Sequence, residues 1–215
     1  MKAVGIDLAG VEPRPTGFCV LDEKLNAATC LLHSDRQIIG GIKQNSPDVV
    51  SIDAPLALPI DRPSLSARYR NRSHLRECDK ALLKMGIRFF PVTLGPMRKL
   101  TRRGIKLRKI LENKGFRVIE SYPGAAQDIL GMPRKQKGLD KLRQALIRYG
   151  IKGDFEKKTV SHHELDAITS ALVGLLYLEG NYVAIGDPKE ALMILPKLEQ
   201  KRNSCNSPSV FLLEV

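Results

Sequence analysis

The chain has 215 residues, 43% of them hydrophobic, enough for the core of one ordinary domain, and a net charge of +12. Aromatics are 5% and Trp is absent, which argues against a stacking platform for single-stranded nucleic acid as the main binding device. Cys19, Cys30, Cys78 and Cys205 form no CxxC pair, Asp7 interrupts the first apolar run, and no stretch has membrane-spanning length; zinc ribbons, a signal peptide and a membrane partner are not expected, and the cytoplasm is.

Residues 2–8 read as a buried strand closing on Asp7, and 10–17 as a loop punctuated by Pro13 and Pro15. The second and third strands are expected at 18–21 and 27–33, joined by a turn. Connections this short imply an antiparallel meander, because a parallel return needs a long crossover. Cys19 and Cys30 sit among apolar neighbours and read as core thiols. Residues 35–45 predict a short helix with Ile38, Ile39 and Ile42 on one face. Residues 48–53 follow as a fourth strand, closing on Asp53 and expected parallel to the first.

Pro55 and Pro59 in DAPLALP stop the strand. The stretch 55–115 reads as an insertion packed over the crevice at the strand ends, with helices at 73–85 and near 97–114. Charge is concentrated here. Residues 62–117 hold seventeen Lys/Arg against three Asp/Glu, a net +14, whereas 1–61 carry −3 and 118–215 carry +1. Such a local excess is the electrostatic footprint of a polyanion, with a solvated basic surface as the plain alternative. The candidate phosphate contacts are Arg76, Arg98, Lys99, Arg102, Arg103 and Lys106.

Residues 116–121 return to the sheet as a strand closing on Glu120; 124–130 and 139–149 predict helices. A longer helix runs from 161 to 178. Ser161 and Glu164 make a capping box, which accounts for Glu164 without any chemistry. Asp166 lies past the first turn, beyond the reach of capping, on a face with Ala167, Ser170 and Gly174. Small residues there would let the helix approach a sheet closely. His162 and His163 read as polar surface, or as a contact to a metal ligand, rather than as ligands. One domain is expected over 1–200, with 201–215 as a tail or short last strand.

Asp7, Asp53 and Glu120 each close an apolar run, although a buried unpaired charge is costly. Strand ends in an open α/β sheet face the crevice where ligands bind. One such acid is explained by a turn or cap. Together with Asp166 they suggest a site for Mg²⁺ or Mn²⁺, which prefer oxygen ligands. Two ions roughly 3.5–4 Å apart would activate a water, orient a phosphate and offset charge on the leaving oxygen. In this reading Asp7 bridges the ions and Asp53 and Asp166 hold one each. Glu120 is an outer ligand or the partner of a basic residue. The basic segment then holds the phosphate backbone with little sequence preference.

The segments GIDLA at 5–9, IDAPLALP at 52–59, RECD at 76–79, IESYP at 119–123 and HELDAITSA at 163–171 resemble, in this order, a family known as a domain of unknown function and predicted to be an RNase H-like nuclease of the RuvC/RNase H-like superfamily. The resemblance spans residues 5 to about 187. It implies an α/β, RNase H-like mixed sheet, with an antiparallel meander of the first three strands plus parallel strands, flanked by helices and carrying a basic helical insertion. It also implies a divalent-metal-dependent nuclease with Asp7, Asp53 and Asp166 as its acidic triad. Arg76, Asp79, Glu120 and Tyr122 are marked as motif positions. Asp53 departs from the pattern, since RuvC-type nucleases carry Glu there, and the shorter side chain would shift a metal.

Rival readings come from the same residues. Sugar kinases and actin-like ATPases share the Asp-ended strand and a glycine hairpin like 10–17, but need a longer chain and a second hairpin. A non-catalytic nucleic-acid-binding module would keep the acids for folding. A small-molecule phosphoester hydrolase would bind with little dependence on salt. The sequence leaves open DNA versus RNA and whether the chain forms a homodimer.

Overall fold

The computed structural model describes residues 1–197. The expected tail at 201–215 lies outside the described residues. The first three strands, β1 (Lys2–Asp7), β2 (Thr16–Asp22) and β3 (Asn26–Leu32), form the expected antiparallel meander. Parallel to β1 lies β4 (Val49–Asp53), and parallel to β4 lies β5 (Val118–Ser121). A two-residue β6 (Lys152–Gly153) runs beside β3. Two strands the sequence did not announce, β7 (Tyr182–Ile185) and β8 (Met193–Pro196), complete the sheet in the order β6-β3-β2-β1-β4-β5-β8-β7.

Helices cover both faces, because successive strand residues point to opposite sides and both sides are apolar. Ala3, Cys19 and Val49 face a core made with α4 (Pro123–Ile129), α5 (Leu139–Tyr149) and α6 (His162–Leu178). Val4, Ile6, Val50 and Ile52 face the other core, made with α1 (Asp35–Asn45) and α3 (Gly95–Glu112). Cys30, expected in a core, is exposed, because β3 lies near the sheet edge and turns part of its surface to solvent. Among the described residues no helix is long and apolar enough to cross a membrane.

The segment expected as an insertion divides in two. Leu107 and Leu111 seat α3 in the core beside α1, so this helix is part of the layer flanking the sheet rather than a cover over the strand ends. The excursion proper is the irregular chain from 54 to 94. It contains α2 (Glu77–Lys84), shorter than the sequence suggested, because Asp79 reaches back to the backbone N–H of Arg76 and begins the helix there.

The central helix, α6, is buried from Glu164 to Leu175. The capping box forms as expected: Ser161 Oγ accepts from Glu164 N, and Glu164 Oε2 accepts from Ser161 N at 2.9 Å. Two strand glycines set how closely α6 lies on the sheet. A Cβ at Gly5 would stand 2.1 Å from Ala167 O, and one at Gly17 would stand 1.9 Å from His163 O. Any side chain at either position would push the helix away. Gly17 is paired with Asp7 across β1 and β2, so the same contact brings the start of α6 to the end of β1.

Candidate functional site

Asp7 and Asp53 are partners in the parallel register of β1 and β4. They lie two residues beyond Gly5 and Ser51, and therefore point to the α6 face. Asp166 projects from α6 on that side, and Asp53 and Asp166 line one small cleft of about 70 Å³. Three acids drawn from distant parts of the chain thus share one end of the sheet.

Their surroundings differ. Asp7 Oδ2 lies 2.6 Å from His163 Nδ1. Asp166 is buried; Oδ1 accepts from Gln127 Nε2 at 2.9 Å and Oδ2 from Lys135 Nζ at 2.7 Å. The Asp53 carboxylate accepts no hydrogen bond from any described residue. Burial, then the charges of Asp7 and Asp166, push its carboxyl well above the usual range, against a weaker pull from Lys135. Burial disfavours charge on Lys135, but Asp166, with Asp7 and Asp53 behind it, holds its ammonium above the ordinary lysine range. Burial also lowers His162, helped by His163 and Lys135; the two rings stand 3.9 Å apart.

Glu120 does not join this group. In the register Ile52 pairs with Glu120 and Asp53 with Ser121, so Glu120 is one residue out of step and faces the opposite side. There it receives Arg76 Nη1 and Nη2, each at 2.7 Å, and the backbone N–H of Leu56 at 2.7 Å. Arg76 also pairs with Asp79 at 3.0 Å. Burial raises Glu120 and works against charge on Arg76, but the two carboxylates outweigh it and keep the guanidinium protonated.

Two of the six expected phosphate contacts are not offered to a ligand. Arg76 is 1% exposed and fully engaged by Glu120 and Asp79. Arg103 is 7% exposed; it bonds Asp35 at 2.8 Å, Ala9 O at 2.7 Å and His33 O at 3.1 Å, stapling the chain after β1 to the start of α1. Arg98 is half-buried and donates to Leu65 O. Lys99, Arg102 and Lys106 are exposed along one face of α3, with Lys106 also 3.4 Å from Asp35. Sequence reasoning missed Lys135 and Gln127, and gave His163 only a supporting part. Nothing in the run PRKQK signals that one lysine reaches an acid on α6. The His163–Asp7 contact was legible only in that His163 precedes Asp166 by one turn.

Carboxylates and an imidazole are donors that Mg²⁺ or Mn²⁺ can use, and the unpartnered, crowded Asp53 is a carboxylate that a cation would satisfy. The donor chemistry therefore fits such an ion. Among the described residues no three His, Cys, Asp or Glu side chains form a group ready to hold a metal. Lys135 already occupies Asp166 Oδ2, so cation binding there competes with that ion pair.

The sequence matches the family described as a protein of unknown function (DUF429) over residues 5–191, and the chain belongs to that family. No curated protein matches it. The structure is similar to Thermus thermophilus RuvC in complex with Holliday junction substrate, with a TM-score of 0.50 and 14% identity over 84% of this chain and 96% of that one. A second Thermus thermophilus RuvC structure gives a TM-score of 0.48 and 14% identity over 84% and 97%. The fold is thus the RNase H-like fold of RuvC, as the sequence motifs implied.

Proposed function

We propose that this chain is a nuclease that hydrolyses phosphodiester bonds of nucleic acid with a pair of Mg²⁺ or Mn²⁺ ions held by Asp7, Asp53 and Asp166. The observation that carries the reading is Asp53: a half-buried carboxylate with no donor among the described residues, under the charges of Asp7 and Asp166 and lining a cleft with Asp166 and Lys135. A structural acid is normally given partners, as Glu120 is. When bound, the metals would activate water and neutralise charge on the phosphate.

The chain's own residues supply the rest. Gln127 and Lys135 fix Asp166, and the Gly5 and Gly17 contacts hold α6 against the strands. With Nδ1–H donated to Asp7, His163 keeps Nε2 as an acceptor able to take a proton from water. Lys99, Arg102 and Lys106 give the backbone of a nucleic acid a basic face of α3 to follow. The fold likeness to an RuvC chain solved with a Holliday junction makes branched nucleic acid the first substrate to try.

The test is cleavage of branched, hybrid and single-stranded DNA and RNA in Mn²⁺, with EDTA and the Asp7→Asn variant as controls. Asp7→Asn should fold normally and lose about 10²-fold or more of the activity. Unchanged turnover in that variant removes the mechanism. The Lys135–Asp166 pair favours a second reading, a nucleic-acid-binding protein in which the lysine stands where a metal would. Oligonucleotides bound but left intact at every metal concentration would decide for it.

A further inference from the structure

A cavity of about 880 Å³ lies next to the acid cleft. Phe89, Phe90 and Tyr122 line it, as do Arg88, Arg134 and Lys137. Tyr122 and Arg134 also line the cleft that holds Asp53 and Asp166, so the two spaces share a wall. The volume is in the range of small-ligand sites, roughly 300–1,000 Å³. With six Phe and five Tyr in the whole chain, the gathering of three aromatics beside the acids is a local concentration that composition did not foretell.

The shared wall is firmly built. Tyr122 Oη donates to Arg88 O at 2.6 Å. Arg134 is held by Asp128 through two bonds, at 2.9 and 2.5 Å, and its guanidinium lies 5.7 Å from the centroid of the Tyr122 ring. The opposite character is just as plain: Phe90 is 68% exposed, and Leu83, which also lines the cavity, is 56% exposed. Arg88 and Lys137 are exposed and make no ion pair among the described residues. Asp128 lines the cavity too but is spent on Arg134, which leaves Arg88 and Lys137 as its unpaired charges; apolar faces beside two such cations suit a flat ligand with an anionic linkage. A purely apolar partner would leave the cations unmet, and a small anion would leave the aromatics bare.

We propose that this cavity receives an unpaired nucleobase of the strand whose phosphate lies at Asp7, Asp53 and Asp166, stacked on Phe90, with neighbouring phosphates on Arg88 and Lys137. The placement of that phosphate rests on the nuclease reading above. A base inside a duplex cannot enter without unpairing, so the substrate class is a strand with free nucleotides beside the scissile bond: an overhang, a bulge, a loop or an open junction.

The experiment measures affinity in EDTA, where cleavage plays no part, using hairpins of DNA and of RNA with 2-aminopurine in a short overhang, and matched fully paired duplexes. The wild type should quench the overhang probe and bind it more tightly than the duplex. Phe90→Ala should weaken overhang binding roughly 5- to 150-fold, the loss of one stacked base, and leave duplex binding unchanged. Phe90→Trp should restore the preference. Overhang affinity unaltered by Phe90→Ala overturns the proposal while leaving the nuclease reading in place. Equal weakening on overhang and duplex also overturns it. Sedimentation runs alongside: a dimer that dissociates in Phe90→Ala assigns the cavity to a second copy and overturns it as well. A wild type that keeps the stacking preference but cleaves nothing in Mn²⁺ supports the proposal and defeats the nuclease reading alone.

Discussion

Two groups of carboxylates sit at the same end of the sheet, on opposite faces, and they are provisioned differently. Glu120 and Asp79 share the Arg76 guanidinium, and Glu120 also receives the Leu56 N–H, so each charge there is met by a donor. Asp7, Asp53 and Asp166 have one lysine among them, and Asp53 has no hydrogen-bond donor. Both groups are largely withdrawn from water. A charge kept for structure is satisfied within the protein; a carboxylate left short of donors takes up a proton or draws a cation. The first group ties the chain after Asp53 to β5, so it also fixes the scaffold on which the second stands.

The comparison breaks if the two groups respond alike to mutation. Glu120→Ala should cost about 3–5 kcal/mol in chemical denaturation, because it strands a buried guanidinium and removes the acceptor of Leu56 N. A loss below about 1 kcal/mol would mean that Arg76 finds another partner and that the pair does not tie the chain after Asp53 to β5.

Asp53→Asn should do the reverse. It keeps the volume and removes one of three facing charges, so stability should rise by about 0.5–2 kcal/mol while metal-dependent cleavage is lost. The gain carries a pH signature. Asp53 titrates from 3.8 in the unfolded chain to well above that in the folded one, pushed by burial, Asp7 and Asp166, with Glu120 adding and Lys135 opposing. Between those two values the folded chain keeps a proton that the unfolded chain has released, so wild-type stability falls as pH rises through that window. Asp53→Asn lacks this fall. Urea melts of both proteins in EDTA should coincide near pH 3.8 and separate steadily above it, the variant being the more stable. Parallel curves would show that Asp53 is not strained by its neighbours.

Much of this contrast could be read in advance, and the part that could not has a physical cause. Two strands closing on acids and a capping box before Asp166 placed Asp7, Asp53 and Asp166 in the fold without coordinates. Glu120 carries the same local signal, an apolar run closing on an acid, yet faces the other way. Which face a strand residue takes depends on register, and a one-residue step inverts it; pairing Ile52 with Glu120 is a fact of the sheet, not of the segment. Arg103 sits in a run of basic residues that reads as surface, and only the packing of α3 on α1 shows its guanidinium turned inward to Asp35. The strands β7 and β8 have four residues each, too few for periodicity to separate them from loop.

The smallest expected effect on stability concerns charge that belongs to neither group. Lys99, Arg102 and Lys106 lie exposed along α3, whereas Arg76 and Arg103 are spent inside the protein. Replacing the three exposed residues with Gln should change stability by no more than about 0.5 kcal/mol. If they follow a phosphate backbone, the slope of log affinity against log salt for duplex DNA should flatten by about 2–3, close to one counterion for each cation removed. Lys106 is the weakest contributor, since Asp35 at 3.4 Å already offsets part of its charge. A slope that stays unchanged while the melts also stay unchanged would leave the exposed charge of α3 as solvated surface, and would move the search for the nucleic-acid path to Arg68, Arg70 and Arg72, which are exposed on the excursion before α2.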